Sequence, residues 1–222
     1  MNETNTAKVH TSILARAARL NVEPVAKLLN GWPFILAGGA LAHDKPNDYD
    51  LYSVEGFEFR FDLIESKCIE LGFKIIENSA NAMSVDIGGQ TVQFCKFFKP
   101  SLKELVASFD FAHCQVGVFF DGHKPCNVAF TEDYIAARLI DSTFFTGSEY
   151  PLASLVHCCK IASKGKFASS KDWKRACMEI LVAILDRGVA DYQDFCDQLN
   201  AVSEGICEDD IATRLYSHLS KR

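Results

Sequence analysis

Phe34-Ile35-Leu36-Ala37-Gly38-Gly39-Ala40 is an apolar run that contains a pair of glycines, and Asn47-Asp48-Tyr49-Asp50-Leu51-Tyr52 follows it. This arrangement predicts a buried strand, a tight turn and a second strand. Side chains at positions i and i+2 of a strand point to the same face, so we expect Asp48 and Asp50 to present two carboxylates together. Tyr49 and Leu51 are then expected to face the core.

The paired carboxylates and the glycine turn suit chemistry on phosphates. Oxygen ligands this close together favour Mg²⁺ (or Mn²⁺), which is commonly held by one or two carboxylates together with substrate phosphates. At Gly38 and Gly39, no Cβ prevents the backbone N–H groups from approaching a triphosphate. The motif therefore predicts a metal site at Asp48 and Asp50 and a nucleotide-binding site at Gly38 and Gly39.

The composition is that of a globular protein with a sizeable core. The chain has 222 residues, of which 48% are hydrophobic and 23% are charged, and both fractions are ordinary for a folded domain. The net charge of −6 gives no argument from overall basicity for nucleic-acid binding.

The cysteines and the N-terminus indicate a reducing compartment. Nine cysteines among 222 residues are too few for a disulfide scaffold, and their number is odd. The N-terminus is polar and acidic, unlike a signal peptide, and no apolar stretch reaches the roughly 18 residues of a transmembrane helix. We expect a cytoplasmic protein without membrane contact. The scattered His and Cys residues lack the spacing of zinc sites.

The order of predicted elements indicates an α+β fold: a mixed, mostly antiparallel sheet with flanking helices, followed by an all-helical C-terminal part. Gly88-Gly89-Gln90 predicts a hairpin, and Ser101 and Thr131 predict helix starts. Helical spacing covers 8–30, 59–71, 101 onward and 131–140, and strands are predicted at 32–36, 49–54, 73–76, 82–87, 91–98, 114–120 and 126–130.

The second part of the chain has helical spacing throughout and no strand pattern. We expect helices at 151–163, 170–187, 189–200 and 208–220. Residues 142–150 have the composition of a loop, so the sequence predicts two domains, at 1–145 and 146–222.

The segment from Pro33 to Tyr52 resembles the polymerase-β-type nucleotidyltransferase superfamily, which includes poly(A) polymerases and CCA-adding enzymes. Later segments, including 91–95, 108–115 and 151–165, look like uncharacterised phage and viral nucleotidyltransferase-like proteins. The resemblance implies metal-dependent transfer of a nucleoside monophosphate from a nucleoside triphosphate to an acceptor hydroxyl, on an RNA 3′ end, a protein or a small molecule. A phage origin would imply the host cytoplasm.

The resemblance also implies roles for individual residues. Asp48 and Asp50 take the family's metal-binding and catalytic positions, and Gly38 and Gly39 take its phosphate-binding positions. The family carries a third carboxylate on a later strand, antiparallel to the first pair, where Gln93 is the best match in this chain. Asp86 is the alternative metal ligand, and Asp110 is the alternative catalytic acid.

Basic residues are needed to bind a triphosphate. Lys160 and Lys164 lie in the densest basic region and, four residues apart, share one face of a predicted helix. We expect them to bind nucleotide. His43 and Asp44, between the two motifs, are further candidates for contact with a ribose or phosphate.

Three interpretations remain open. An active nucleotidyltransferase is favoured by the intact pair Asp48 and Asp50. A catalytically impaired protein of the same fold, which binds a nucleotide, a nucleic acid or a host protein, is favoured by Gln93 at the third-acid position. A purely structural α+β protein is the third. The sequence sets neither the preferred nucleotide, nor the acceptor, nor the oligomeric state.

Overall fold

The structure is a computed structural model that describes residues 3–42, 46, 48–200, 215–217 and 219–220. Its elements, in chain order, are α1 (Glu3–Ala17), α2 (Glu23–Leu28), β1 (Phe34–Ala37), α3 (Gly39–Ala42), β2 (Asp48–Tyr52), α4 (Phe61–Leu71), β3 (Lys74–Asn78), β4 (Ala82–Ile87), β5 (Gln90–Cys95), α5 (Leu102–Ala107), β6 (Val116–Asp121), β7 (Lys124–Phe130), α6 (Glu132–Leu139), α7 (Pro151–Ser163), α8 (Ser170–Arg187) and α9 (Tyr192–Asn200).

The chain divides into two compact units. The first comprises Met1–Ser108 and His113–Ile135, and the second comprises Phe109–Ala112 and Ala136–Arg222. All seven strands belong to the first unit, and α7, α8 and α9 belong to the second. The expected division into functional domains at residue 145 remains a proposal.

The first unit is built on one seven-stranded sheet with the order β3-β4-β5-β2-β1-β6-β7. Every pair of neighbouring strands is antiparallel except β2 and β5, which run parallel. A parallel pair needs a long connection between its strands, and here α4, β3 and β4 lie between β2 and β5 in the chain. The sheet and its helices confirm the predicted α+β class.

Local turn chemistry places the strands as the sequence predicts. Gly88 and Gly89 have φ angles of 65° and 87° and join Ile87 of β4 to its partner Gln90 of β5. A two-residue hairpin with positive φ at both positions strongly favours glycine. The Ser101 side chain accepts a hydrogen bond from the Glu104 N–H at the start of α5, which confirms the predicted cap.

One face of the sheet carries the main core. Phe34, Leu36, Leu51, Val92 and Phe94 are buried there, together with apolar side chains of α1, α2 and α4. The opposite face is covered near β6 and β7 by α5. At Gly117 of β6, an added Cβ would lie 2.8 Å from Leu102 Cδ1, so the absence of a side chain allows α5 to pack closely.

The second unit has its own apolar core, formed by α7, α8 and α9. Its buried residues include Leu152, Ile161, Ile180 and Phe195. The bounds of α7 and α8 agree with the predicted helices, and α9 begins at Tyr192 rather than at residue 189. Most of the helix predicted at 208–220 lies outside the described residues. Within the described part of the chain, no helix is both long enough and apolar enough to cross a bilayer.

Candidate functional site

Asp50 lies at the centre of a row of residues that crosses the middle of the sheet. It pairs with Ala37 of β1 on one side and with Gln93 of β5 on the other. Gln93 in turn pairs with Ser84 of β4. Residues directly opposite one another on neighbouring strands project from the same face, so these four side chains share one side of the sheet.

Asp48 lies on this face too, two positions before Asp50 in β2. Burial along β2 alternates as the sequence predicts: Tyr49 and Leu51 are buried, whereas Asp48 and Asp50 are partly exposed. We call the side that carries the two carboxylates the acidic face. The structure brings Asp48 and Asp50 together on it, opposite the main core.

Gly38 places the turn after β1 beside the Asp50 carboxylate. Its φ is +75°, a backbone conformation that residues with a side chain rarely adopt. An added Cβ would lie 3.7 Å from Asp50 Oδ2. The Gly38 N–H donates a hydrogen bond of 2.9 Å to the carbonyl oxygen of Val116. Gly38 therefore supplies backbone conformation and open space rather than the free N–H group that the sequence predicts. Gly39 is the first residue of α3.

Two further groups on the acidic face are held neutral. Tyr52 and Cys95 share a hydrogen bond. The pKa of Tyr52 is raised well above its usual value, mainly because the phenol is buried and further because Cys95 and the Asp50 carboxylate lie nearby. Burial and then the Asp50 carboxylate also raise the pKa of Cys95. Both groups keep their protons at neutral pH, so they add no negative charge to the two carboxylates. The carboxylates supply the oxygen donors that suit a divalent cation.

Gln93 occupies the strand position nearest to Asp50. Its Nε2 donates a hydrogen bond of 3.3 Å to Ser84 Oγ, and Ser84 is buried. The resemblance implies a third acid on a strand antiparallel to β2, but β5 runs parallel to β2. The position on β5 next to Asp50 carries a neutral amide that is hydrogen-bonded to a buried hydroxyl, not a third acid.

Asp86 lies further from the pair than a third ligand would. Asp48 pairs with Thr91, and Thr91 pairs with Asp86, so two strand spacings, about 10 Å, separate the two acids along the row. Asp86 Oδ1 also accepts a 2.7 Å hydrogen bond from the Gly89 N–H in the hairpin turn. The described residues contain no group of three or more His, Cys, Asp or Glu residues placed to hold a metal. The predicted third-ligand role of Asp86 therefore has no support in this geometry.

Asp110 belongs to the second unit, where it is paired with a histidine. Both of its carboxylate oxygens lie 3.1 Å from His157 Nδ1 on α7, and the Phe111 ring packs edge-on against the imidazole. The Thr146 N–H donates to the Asp110 carbonyl oxygen. These contacts explain the acid as a structural hydrogen-bonding group. The catalytic role predicted for it is a separate hypothesis.

Lys160 and Lys164 are both exposed. Lys160 lies in the last turn of α7, and Lys164 is its C-terminal cap residue. Cations at a helix C-terminus are stabilised by the helix dipole, so this placement has a structural explanation of its own. Their role in nucleotide binding stays a prediction. His43 and Asp44 lie outside the described residues.

Sequence reasoning missed Tyr52, Ser84, Cys95 and His157 as neighbours of the candidate residues. Tyr52 could have been found, because it continues the i, i+2 alternation of Asp48 and Asp50. The other three are brought close by strand register or by helix packing, and no local pattern marks them.

The sequence matches no protein-family model and no curated protein. Its fold, by contrast, is similar to solved structures of nucleotidyltransferases. The CCA-adding enzyme of Thermotoga maritima, in complex with tRNA, is 12% identical with a TM-score of 0.54, over 93% of this chain and 54% of that chain. A CCA-adding enzyme with ATP is 13% identical with a TM-score of 0.52, over 90% of this chain and 51% of that chain.

A tRNA-processing enzyme with CTP is also similar, at 13% identity and a TM-score of 0.52, over 90% of this chain and 55% of that chain. The chain thus spans about half the length of these proteins. At such identities the similarity shows the fold, which is of the nucleotidyltransferase type.

Proposed function

We propose that this chain is a metal-dependent nucleotidyltransferase. The observation that carries the proposal is the placement of Asp48 and Asp50 side by side on the acidic face, next to Gly38, within a nucleotidyltransferase-type fold. In the proposed reaction, the acceptor hydroxyl oxygen forms a bond to the α-phosphorus of a nucleoside triphosphate. The bond from that phosphorus to the bridging oxygen breaks, pyrophosphate leaves, and the hydroxyl proton passes to solvent.

The donor set fits the metal ion that the fold implies. Asp48 and Asp50 would hold Mg²⁺ or Mn²⁺, which supplies charge neutralisation for the triphosphate when it is bound. The two carboxylates would hold the ion on the acidic face, and Gly38 keeps the space beside Asp50 Oδ2 open. Because Tyr52 and Cys95 stay protonated, the two aspartates supply the negative charge in this part of the face.

An RNA 3′ end is the acceptor that we propose to test first. Solved structures of the similar enzymes contain tRNA, ATP or CTP. The net charge of −6 disfavours long duplexes, since contacts to phosphates supply much of the affinity for them. A short single-stranded end needs fewer such contacts. A protein or small-molecule hydroxyl is the other acceptor class.

A second candidate function is nucleotide binding without transfer. It is favoured by Gln93, a neutral residue at the strand position beside Asp50, because a neutral amide stabilises a divalent cation less than a carboxylate does. Under this alternative, the fold binds nucleotide or nucleic acid and the chemistry is lost.

Labelled nucleoside triphosphates separate the two candidates. Each triphosphate is incubated with the protein, Mg²⁺ or Mn²⁺ and total RNA, alongside an Asp48→Asn/Asp50→Asn variant that preserves side-chain shape. Asp133→Asn, at an exposed position of α6, is the matched control. Transfer that the control retains and the double variant loses supports the enzyme. Binding without transfer by the unmodified protein supports the binding protein, and absence of both contradicts the two proposals.

Lys160 and Lys164 are tested separately. We propose that they bind the donor triphosphate, and a Lys160→Ala/Lys164→Ala variant should then bind labelled nucleotide more weakly. Lys103→Ala, an exposed lysine on α5, is the control. Unchanged affinity of the double variant would exclude this role and leave the lysines as helix-end residues.

A further inference from the structure

The packing of α7 against α8 brings two thiols together inside the second unit. The Sγ atoms of Cys158 on α7 and Cys177 on α8 lie 3.8 Å apart, and both cysteines are free thiols. The two residues are 19 positions apart in the chain, so helix packing rather than local sequence creates the contact.

The two thiols differ in their access to solvent. Cys158 is fully buried among apolar residues that include Ile161, Ala176 and Ile180, whereas Cys177 is partly exposed. Burial, and then the hydrogen bond to Cys177, raises the pKa of Cys158 to about 12. Since the thiolate is the reactive form, a solvent oxidant is expected to react first at the partly exposed Cys177, whose sulfur is in contact with the buried sulfur of Cys158.

We propose that Cys158 and Cys177 form a reversible disulfide when the protein meets hydrogen peroxide, and that this bond links α7 to α8. In the first step, the Cys177 sulfur attacks one peroxide oxygen, the O–O bond breaks, and sulfenic acid and one water are formed. In the second step, the Cys158 sulfur attacks the Cys177 sulfur, and the hydroxyl leaves with the Cys158 proton as a second water. The two thiols lose two electrons in total, and the peroxide gains them.

The bond would close a loop around the basic residues between Cys158 and Cys177. The loop that it closes contains the end of α7 and the first two turns of α8, with Lys160, Lys164, Lys171 and Lys174. A cross-link between these helices removes freedom mainly from the unfolded chain. For a loop of about 20 residues in a chain of this size, the entropy lost from the unfolded chain corresponds to a rise in Tm of about 5 °C or more. The proposed disulfide does not depend on whether the first unit catalyses nucleotidyl transfer.

Peptide mapping tests the linkage directly. The unmodified protein is treated with hydrogen peroxide under native conditions, free thiols are alkylated, and the digest is examined by mass spectrometry. We expect a peptide pair that joins Cys158 to Cys177 and is lighter by two hydrogen atoms than the two reduced peptides. Dithiothreitol should release both peptides and reverse the rise in Tm.

Two variants sharpen the result. Cys177→Ser should abolish both the linked peptide and the rise in Tm, and its circular dichroism spectrum verifies folding. Cys159→Ser, at an exposed neighbour, should retain both. A Cys159 to Cys177 linkage would overturn the proposal, as would a Cys177 that is over-oxidised or unmodified while Cys158 remains a free thiol. Because mapping uses the unmodified chain, a variant that fails to fold leaves the test intact.

Discussion

Asp50 of β2 and Gln93 of β5 are direct partners in the parallel strand pair of the sheet, so a carboxylate and a neutral amide stand side by side on the acidic face. Gln93 is further tied to the buried Ser84 by its Nε2. The charge of the site is therefore that of two acids, and a single substitution at Gln93 would add a third.

Gln93→Glu is expected to raise the affinity for Mn²⁺ roughly tenfold, because it places another negative charge beside Asp50 with little change in side-chain size. Electron paramagnetic resonance of free Mn²⁺ measures the affinity without any need for activity. Gln90→Glu is the matched control because it adds the same charge to β5 on the other face of the sheet. Gln90 alternates with Val92 and Phe94, which face the core. Equal affinities for the two variants would contradict a metal site at Asp48 and Asp50.

Gly38→Ala is expected to weaken both folding and ligand binding. A Cβ at φ +75° costs about 1–2 kcal/mol in the free energy of unfolding, and it would also narrow the space beside Asp50 Oδ2. Gly31 has nearly the same φ, +77°, but nothing lies within 4 Å of an added Cβ there. Urea denaturation should thus show similar losses for Gly38→Ala and Gly31→Ala.

Mn²⁺ and nucleotide affinities then separate the two glycine variants. Only Gly38→Ala should bind these ligands more weakly, because only this Cβ reaches the carboxylate. If Gly31→Ala lost affinity to the same degree, the loss would reflect general destabilisation, and Gly38 would have no specific part in the site.

Local patterns predicted those parts of the fold that local physics determines. The alternation of Asp48, Tyr49, Asp50 and Leu51 predicted which side of β2 is buried, because successive side chains on a strand point to opposite faces. Gly88 and Gly89 predicted the β4–β5 hairpin, because few other residues adopt positive φ at both turn positions.

Local patterns could not predict contacts between residues that are far apart in the chain. The parallel pairing of β2 with β5 depends on how the intervening elements pack. Because of this pairing, Gln93 rather than Asp86 lies next to Asp50. Likewise, Asp110 meets His157 across 47 positions of the chain. Sequence reasoning therefore identified the carboxylate pair correctly as neighbours on one face but could not supply the neutral residues around it.

Stability should fall at alkaline pH in part through Cys95. Burial and the Asp50 charge raise the pKa of this thiol above 9.0, its usual value, so the folded protein holds the proton more tightly than the unfolded chain does. The contribution is full below pH 9 and is lost as the pH rises toward the raised pKa, at up to about 1.4 kcal/mol per pH unit. Urea denaturation between pH 7.5 and pH 10 should show a flatter decline for Cys95→Ala. Cys126→Ala, at an exposed thiol, should follow the unmodified protein, and an unchanged slope for Cys95→Ala would contradict this assignment.

Asp110→Asn tests whether the acid paired with His157 is structural or catalytic. The amide keeps a hydrogen-bond acceptor for His157 Nδ1 but removes the negative charge from a side chain that is 17% exposed, so we expect the free energy of unfolding to fall by about 1 kcal/mol. If the acid is structural, the transfer rate per folded molecule should stay within about twofold of the unmodified protein, whereas Asp50→Asn should lower it by at least about a hundredfold. His157→Gln, which preserves a donor at a similar position, should give a comparable loss of stability. A large loss of transfer in Asp110→Asn with unchanged stability would instead assign this carboxylate to the catalytic machinery, as the alternative third acid.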